Sequence, residues 1–158
     1  MRGIIILAAA SNDGANMPRA FPACMDKVLA IHATDGHGNR RGFNPSPLKK
    51  NINFSTLGAG IPSPLQGTPR FLEAGTSFST PIAAGMVANI MTLAEERLNR
   101  TEKDKELCRL ALKRHGMKTI LENISEPRDG YDYLYPGRVG RPEAEAEYYW
   151  LRDILENV

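Results

Sequence analysis

Residues 75–81 read Gly-Thr-Ser-Phe-Ser-Thr-Pro and run straight into Ile82-Ala83-Ala84-Gly85-Met86-Val87-Ala88-Asn89-Ile90. The pattern predicts a helix from Ser79 to about Arg100, with Thr80 as N-cap and Pro81 at the first helical position. Its first half is small and apolar almost all round, which places it in a core. Ser77 stands just ahead of that helix, where backbone N–H groups and the helix dipole favour negative charge. Such a position suits a nucleophile whose attack creates an oxyanion. The same residues also fit plain helix capping. The stretch is not the GxSxG elbow, because Ser79 stands where its second glycine would be.

Upstream, Ile4–Ala10 is a short apolar run that stops at Ser11-Asn12-Asp13-Gly14. This predicts a buried parallel strand ending in a turn. In an open parallel sheet, ligands bind beyond the carboxyl ends of strands. Asn12 there can donate its amide into a site, or simply form the turn. A second strand is expected over Lys27–Ala33 and a short third within Asn51–Leu57, followed by a Gly/Pro loop to about Gly75. Helical periodicity returns over Glu102–Asn123, with a break expected near Gly116. Ser125–Gly140 reads as a loop, and Pro142 as the start of a last helix to about Glu156. The fold class is therefore α/β, a parallel sheet with flanking helices, followed by a helical tail.

The chain has 158 residues, 42% hydrophobic and 24% charged, as in ordinary globular domains. Residues 1–100 hold 10 of the 14 glycines and 8 of the 11 prolines, and carry 10 basic and 6 acidic side chains; residues 101–158 carry 10 and 12. The composition divides the chain into 1–100, strands and functional loops, and 101–158, a helical extension. A net charge of +2 gives no footprint for nucleic acid. No uninterrupted apolar run nears the roughly 18 residues of a spanning helix, so no membrane partner is expected. The seven-residue run at Ile4–Ala10 is short for a secretory leader, which favours an intracellular location without fixing the compartment. Cys24 and Cys108 form no CxxC pair. Asp35, His37 and Asn39 offer oxygen and nitrogen donors but no complete ligand set, so neither metal nor other cofactor is expected.

Taken together and in order, Ala8–Asn12 (AAASN), Phe21-Pro22-Ala23, Lys27–Asp35, Asn53–Gly58 (NFSTLG) and Gly75–Pro81 (GTSFSTP) resemble the C-terminal half of the catalytic domain of subtilisin-like serine peptidases, the subtilases of peptidase family S8, with fungal-type details. The resemblance covers residues 3–98. It implies a partial subtilisin-like sheet and peptide-bond hydrolysis through an acyl-enzyme. Ser77 would be the nucleophile, and the Asn12 amide with the Ser77 N–H would hold the oxyanion. Ala9, Ala10, Ser11 and Thr76 would line the pocket for the substrate residue before the cut. Ser11 departs from the family's usual glycine.

The family orders its triad Asp…His…Ser along the chain. The aspartate and histidine motifs precede the oxyanion strand and have no counterpart in residues 1–158. His32 falls in a strand, His37 in a glycine-rich loop and His115 in the extension. The implied function is a serine endopeptidase acting on polypeptides. It would be inactive in this chain alone and would depend on a missing N-terminal half for its Asp and His. The alternative is a non-catalytic pseudo-peptidase or interaction fragment.

Overall fold

A computed structural model describes residues 4–63, 71–135 and 149–158. Its elements, in order, are β1 (Ile6–Ala9), β2 (Val28–Thr34), β3 (Phe54–Leu57), β4 (Ala59–Ser63), β5 (Phe71–Ala74), α1 (Thr76–Arg97), α2 (Glu102–Ala111), α3 (Arg114–Ile124), β6 (Glu126–Arg128), β7 (Tyr131–Tyr133) and α4 (Tyr149–Glu156). The main sheet runs β1-β2-β3-β7-β6. The pairs β1–β2, β2–β3 and β3–β7 are parallel, while β6 returns antiparallel on β7. A separate antiparallel pair, β4–β5, leads the chain from the end of β3 to the start of α1.

β2 is the buried centre, with all seven residues inside. Its alternate side chains serve two faces. Leu29 and Ile31 join Ala83, Met86, Val87, Ile90 and Ala94 of α1 in the main core, with Leu107, Met117, Ile120, Leu121, Leu151 and Leu155 from the later helices. Val28 and Ala30 face the other way and pack with Ala8 and Ala23. His32 lies further along that second face, its ring 4.9 Å from the ring of Tyr131.

Four expectations about where elements lie are corrected, the first being the Gly/Pro loop expected before Gly75, which holds the paired strands β4 and β5. The helix begins at Thr76, not near Thr80: Gly75 is its N-cap and Pro81 lies inside it. Pro81 has no N–H to return to the Ser77 carbonyl, and the Ser79 and Thr80 hydroxyls both donate to the Thr76 carbonyl, at 3.0 and 2.8 Å. The proline therefore falls where the first turns are already held by side chains. The stretch 102–124 is two helices that part at Leu112-Lys113 rather than at Gly116. Gly116 is the contact point between them: a Cβ there would stand 2.3 Å from the Leu110 carbonyl oxygen. Residues 126–133, expected as loop, form the β6–β7 hairpin, and β7 extends the parallel sheet. The expected start of the last helix at Pro142 lies outside the described residues.

α1 is long and apolar enough by composition alone to cross a membrane. Here it packs on β1, β2 and β3. Its opposite face, with Ala84, Gly85, Ala88 and Thr92, is exposed. Among the described residues β1, expected as a buried strand, is instead the sheet's edge: Ile4 ahead of it and Ile6 at its start are 85% and 46% exposed.

Candidate active site

The carboxyl ends of β1, β2 and β3 converge on the start of α1 through a chain of backbone hydrogen bonds. The Gly58 N–H donates to the Thr34 carbonyl at 2.9 Å, and the Gly75 N–H donates to the Gly58 carbonyl at 2.8 Å. Gly58 must be glycine for this approach. A Cβ there would meet the Ala33 Cβ at 2.7 Å, the Gly75 carbonyl at 2.9 Å and the Ser79 Cβ at 3.0 Å. The first turn of α1 is thereby held against the sheet, with Thr76 and Ser79 buried and Ser77 turned out to solvent.

Asn12 arrives from the other side, beyond β1. Its Oδ1 accepts from the Thr76 backbone N–H at 2.8 Å and from the Thr76 hydroxyl at 3.1 Å. With the oxygen held by two donors, the Asn12 Nδ2 is left to donate elsewhere. It borders Gly75, whose missing Cβ would lie 3.2 Å from it. Two donors therefore stand at one helix start, the Asn12 amide and the Ser77 N–H, since the Thr76 N–H is taken by Asn12 Oδ1 and the Phe78 N–H by the Gly75 carbonyl. This arrangement suits a developing oxyanion beside the exposed Ser77.

The turn before Asn12 is strained. Ser11 has φ of 141°, the backbone region that glycine occupies. Its hydroxyl donates to Asp13 Oδ2 at 2.5 Å and accepts from the Asp13 N–H at 3.2 Å. Ala10 is fully buried and Ser11 7% exposed, while Ala9 is half-buried. Of the four residues expected to line a substrate pocket, Thr76 is also almost fully buried, engaged with Asn12.

Among the described residues no histidine is hydrogen-bonded to Ser77. His32 is fully buried in β2 with Nδ1 2.9 Å from the Phe54 carbonyl. Burial pushes its pKa down to about 4, although the Phe54 carbonyl favours the charged form. His37 and His115 are exposed on the 35–39 turn and on α3. The Asp35 carboxylate accepts from the His37 and Asn39 N–H groups at 2.9 and 3.0 Å and from Asn39 Nδ2 at 2.9 Å, which is a turn rather than a ligand set. Among the described residues no group of three His, Cys, Asp or Glu could hold a metal.

A sequence model of the subtilase family matches residues 1–135, so the chain belongs to the subtilase family. The match extends past residue 98, where the motifs legible by eye end. The minor extracellular protease Epr of Bacillus subtilis (strain 168) is 33% identical over 87 residues, 55% of this chain and 13% of that protein. The intracellular serine protease of Paenibacillus polymyxa is 28% identical over 136 residues, 84% of this chain and 40% of that protein. Among solved structures, the prenylagaramide maturation protease PagA superposes with a TM-score of 0.58 at 28% identity, covering 78% of this chain and 41% of that one. A mutant of the protease domain of PatA gives a TM-score of 0.60 at 24% identity, covering 93% of this chain and 48% of that one. The chain thus spans less than half the length of these relatives.

Proposed function

We propose that residues 1–158 form the nucleophile and oxyanion half of a subtilase serine endopeptidase site. Ser77 Oγ attacks the scissile carbonyl, and the Asn12 Nδ2 and the Ser77 N–H receive the oxyanion. Ala9, Ala10, Ser11 and Thr76 border the pocket for the substrate residue before the cut. The single observation that carries this reading is the double hydrogen bond from Thr76 to Asn12 Oδ1 beside an exposed Ser77. In subtilisins, removing such an amide donor costs roughly 100- to 1000-fold in rate.

The substrate class is polypeptide. A base and its orienting carboxylate come from a second polypeptide segment, because His32 is enclosed and neither His37 nor His115 is hydrogen-bonded to Ser77 among the described residues. Without them the Ser77 hydroxyl stays un-ionised at neutral pH, and the chain alone is inactive. Among the described residues β1 is paired on one side only and α1 leaves a small-residue face exposed, which supports a docking position for that segment. An open edge and an apolar exposed face are features that a covering element removes. The helices α2, α3 and α4 act as a buttress, packing with α1 in the main core.

Hydrolysis of a fluorogenic peptide by the chain alone, and by the chain mixed with a polypeptide carrying the family's Asp and His motifs, tests this. Turnover is expected only in the mixture, and abolished by Ser77→Ala. Turnover by the chain alone that Ser77→Ala abolishes would overturn the claim that this chain lacks a base.

A further inference from the structure

At the opposite ends of the same strands lies a cleft of about 300 Å³. Its apolar floor includes Ala23, Val28 and Phe54, from the turn before β2 and the first residues of β2 and β3. Three cations, Arg19, Arg114 and Lys118, stand on its wall, against one carboxylate, Asp26. Lys118 is paired with Glu122, and Asp26 offers Arg114 its backbone carbonyl. Arg19 donates through one terminal nitrogen to Asn53 Oδ1 at 2.6 Å and, longer, to the Ile52 carbonyl at 3.5 Å. Among the described residues neither Arg19 nor Arg114 has a carboxylate partner, and the Nε of each is buried with no hydrogen-bond acceptor.

Two buried guanidinium Nε groups without acceptors are a costly arrangement unless something fills it. Burial also lowers the Arg19 pKa from its ordinary value, against an opposing effect of Tyr131, so this cation is already partly stripped of water. The Nε and a terminal nitrogen of a guanidinium make a fork that matches a carboxylate. We propose that this cleft binds a carboxylate bearing an apolar group, with Arg19 and Arg114 turning their Nε edges onto the carboxylate and Ala23, Val28 and Phe54 taking the apolar part. A volume of about 300 Å³ accommodates a single apolar residue with a free C-terminus, or a medium-chain fatty acid. The site is remote from Ser77 and does not depend on the peptidase reading.

The test titrates the full chain with N-acetyl-leucine, with octanoate, and with the amide of each, following backbone amide resonances of Ala23, Val28 and Ala30. At least one carboxylate is expected to move these resonances, and its amide to bind at least ~10-fold more weakly, the loss of a charge-assisted hydrogen bond. A response to N-acetyl-leucine alone assigns a peptide C-terminus, and to octanoate alone a fatty acid; either supports the site. Arg19→Gln and Arg114→Gln are each expected to weaken binding by about tenfold. Equal binding of acid and amide, resonance changes confined to other residues, or no response to either acid at ~10 mM would overturn it. The acid–amide contrast uses the unaltered chain, so it decides the question even if a variant fails to fold.

Discussion

The Asn12 side-chain oxygen accepts both the backbone N–H and the hydroxyl of Thr76, at 2.8 and 3.1 Å. This pair links a turn after the first strand to the first residue of α1, sixty-four positions later in the chain, and sets which end of the amide faces out. Replacing Thr76 by Val keeps the shape and the backbone donor and removes only the hydroxyl. In enzyme reconstituted with the Asp- and His-bearing segment, Thr76→Val is expected to lower kcat by roughly 3- to 10-fold, the effect of one hydrogen bond worth about 1 kcal/mol. Asn12→Ala is expected to cost roughly 100-fold or more. Steady-state kinetics of the two variants checks the order.

Ser11 separates strain from hydrogen bonding. At φ of 141° a side chain is disfavoured, but the hydroxyl bonds Asp13. Ser11→Ala keeps the strain and loses the bond; Ser11→Gly loses both. Ser11→Gly is therefore expected to be more stable than Ser11→Ala by about 1–2 kcal/mol. Urea denaturation of both variants measures the difference.

Gly58→Ala places a methyl against Ala33, the Gly75 carbonyl and Ser79 at once, all at 3.0 Å or less. All three are backbone or β-carbon atoms that cannot swing away. A loss of about 2–3 kcal/mol is expected, together with displacement of the helix start. The resonances of Thr76 and Ser77 report the displacement. Retention of wild-type stability would contradict the packing described.

How much of this was legible beforehand depends on which residues carried the information. β1 and β2 are legible as apolar runs that end before Asn or Asp, and β3 as a short β-branched and aromatic stretch between Asn53 and Gly58. The family's motifs single out Asn12 and Ser77 as expected site residues, but the bonds that join Asn12 to Thr76 have no signal in the sequence, since no local pattern encodes a contact across sixty-four residues. The start of α1 was misplaced because Thr80-Pro81 carries cap and first-turn signals, whereas the true cap is Gly75, with no side chain to announce itself. β7 was missed because three residues, Tyr-Asp-Tyr, are too short for a period-2 signal. The sheet accepts them through partners supplied from afar: Asp132 pairs in register with Phe54, and the Tyr131 hydroxyl donates to the Pro45 carbonyl at 2.6 Å. Gly116 resembles a helix breaker in sequence and is a close-packing point in space.

His32 makes stability depend on pH. Its pKa in the folded chain, about 4, lies below the ordinary 6.5 because burial disfavours the cation. The unfolded chain therefore binds the proton more readily. The contribution of neutral His32 is complete above about pH 6.5 and is lost progressively as pH falls toward 4. The full loss is roughly 3 kcal/mol. His32→Gln is expected to flatten the fall between pH 7 and pH 4, measured by denaturant midpoints at each pH. A parallel decline in both proteins would assign the acid sensitivity to other groups.

At the far end, Asp104 closes the capping box of α2, accepting the Thr101 N–H at 2.9 Å while its own N–H donates to the Thr101 hydroxyl at 3.0 Å. Arg152 of α4 lies 3.2 Å from its other oxygen. Burial opposes the charge, but the Thr101 hydrogen bonds and Arg152 outweigh it and hold the Asp104 carboxyl below its ordinary pKa. Asp104→Ala is expected to cost about 1–2 kcal/mol and to loosen α4, seen as faster amide exchange over Leu151–Leu155.

On the proposed function, residues 1–158 supply a nucleophile and oxyanion donors, and the base comes from a second polypeptide segment. The most direct measurement is labelling of Ser77 by a fluorophosphonate, which requires an activated serine. The chain alone is expected to remain unlabelled, and the chain mixed with a polypeptide bearing the family's Asp and His motifs to label at Ser77. Labelling of Ser77 in the isolated chain would contradict the account, as would failure to label in a mixture whose two parts demonstrably bind.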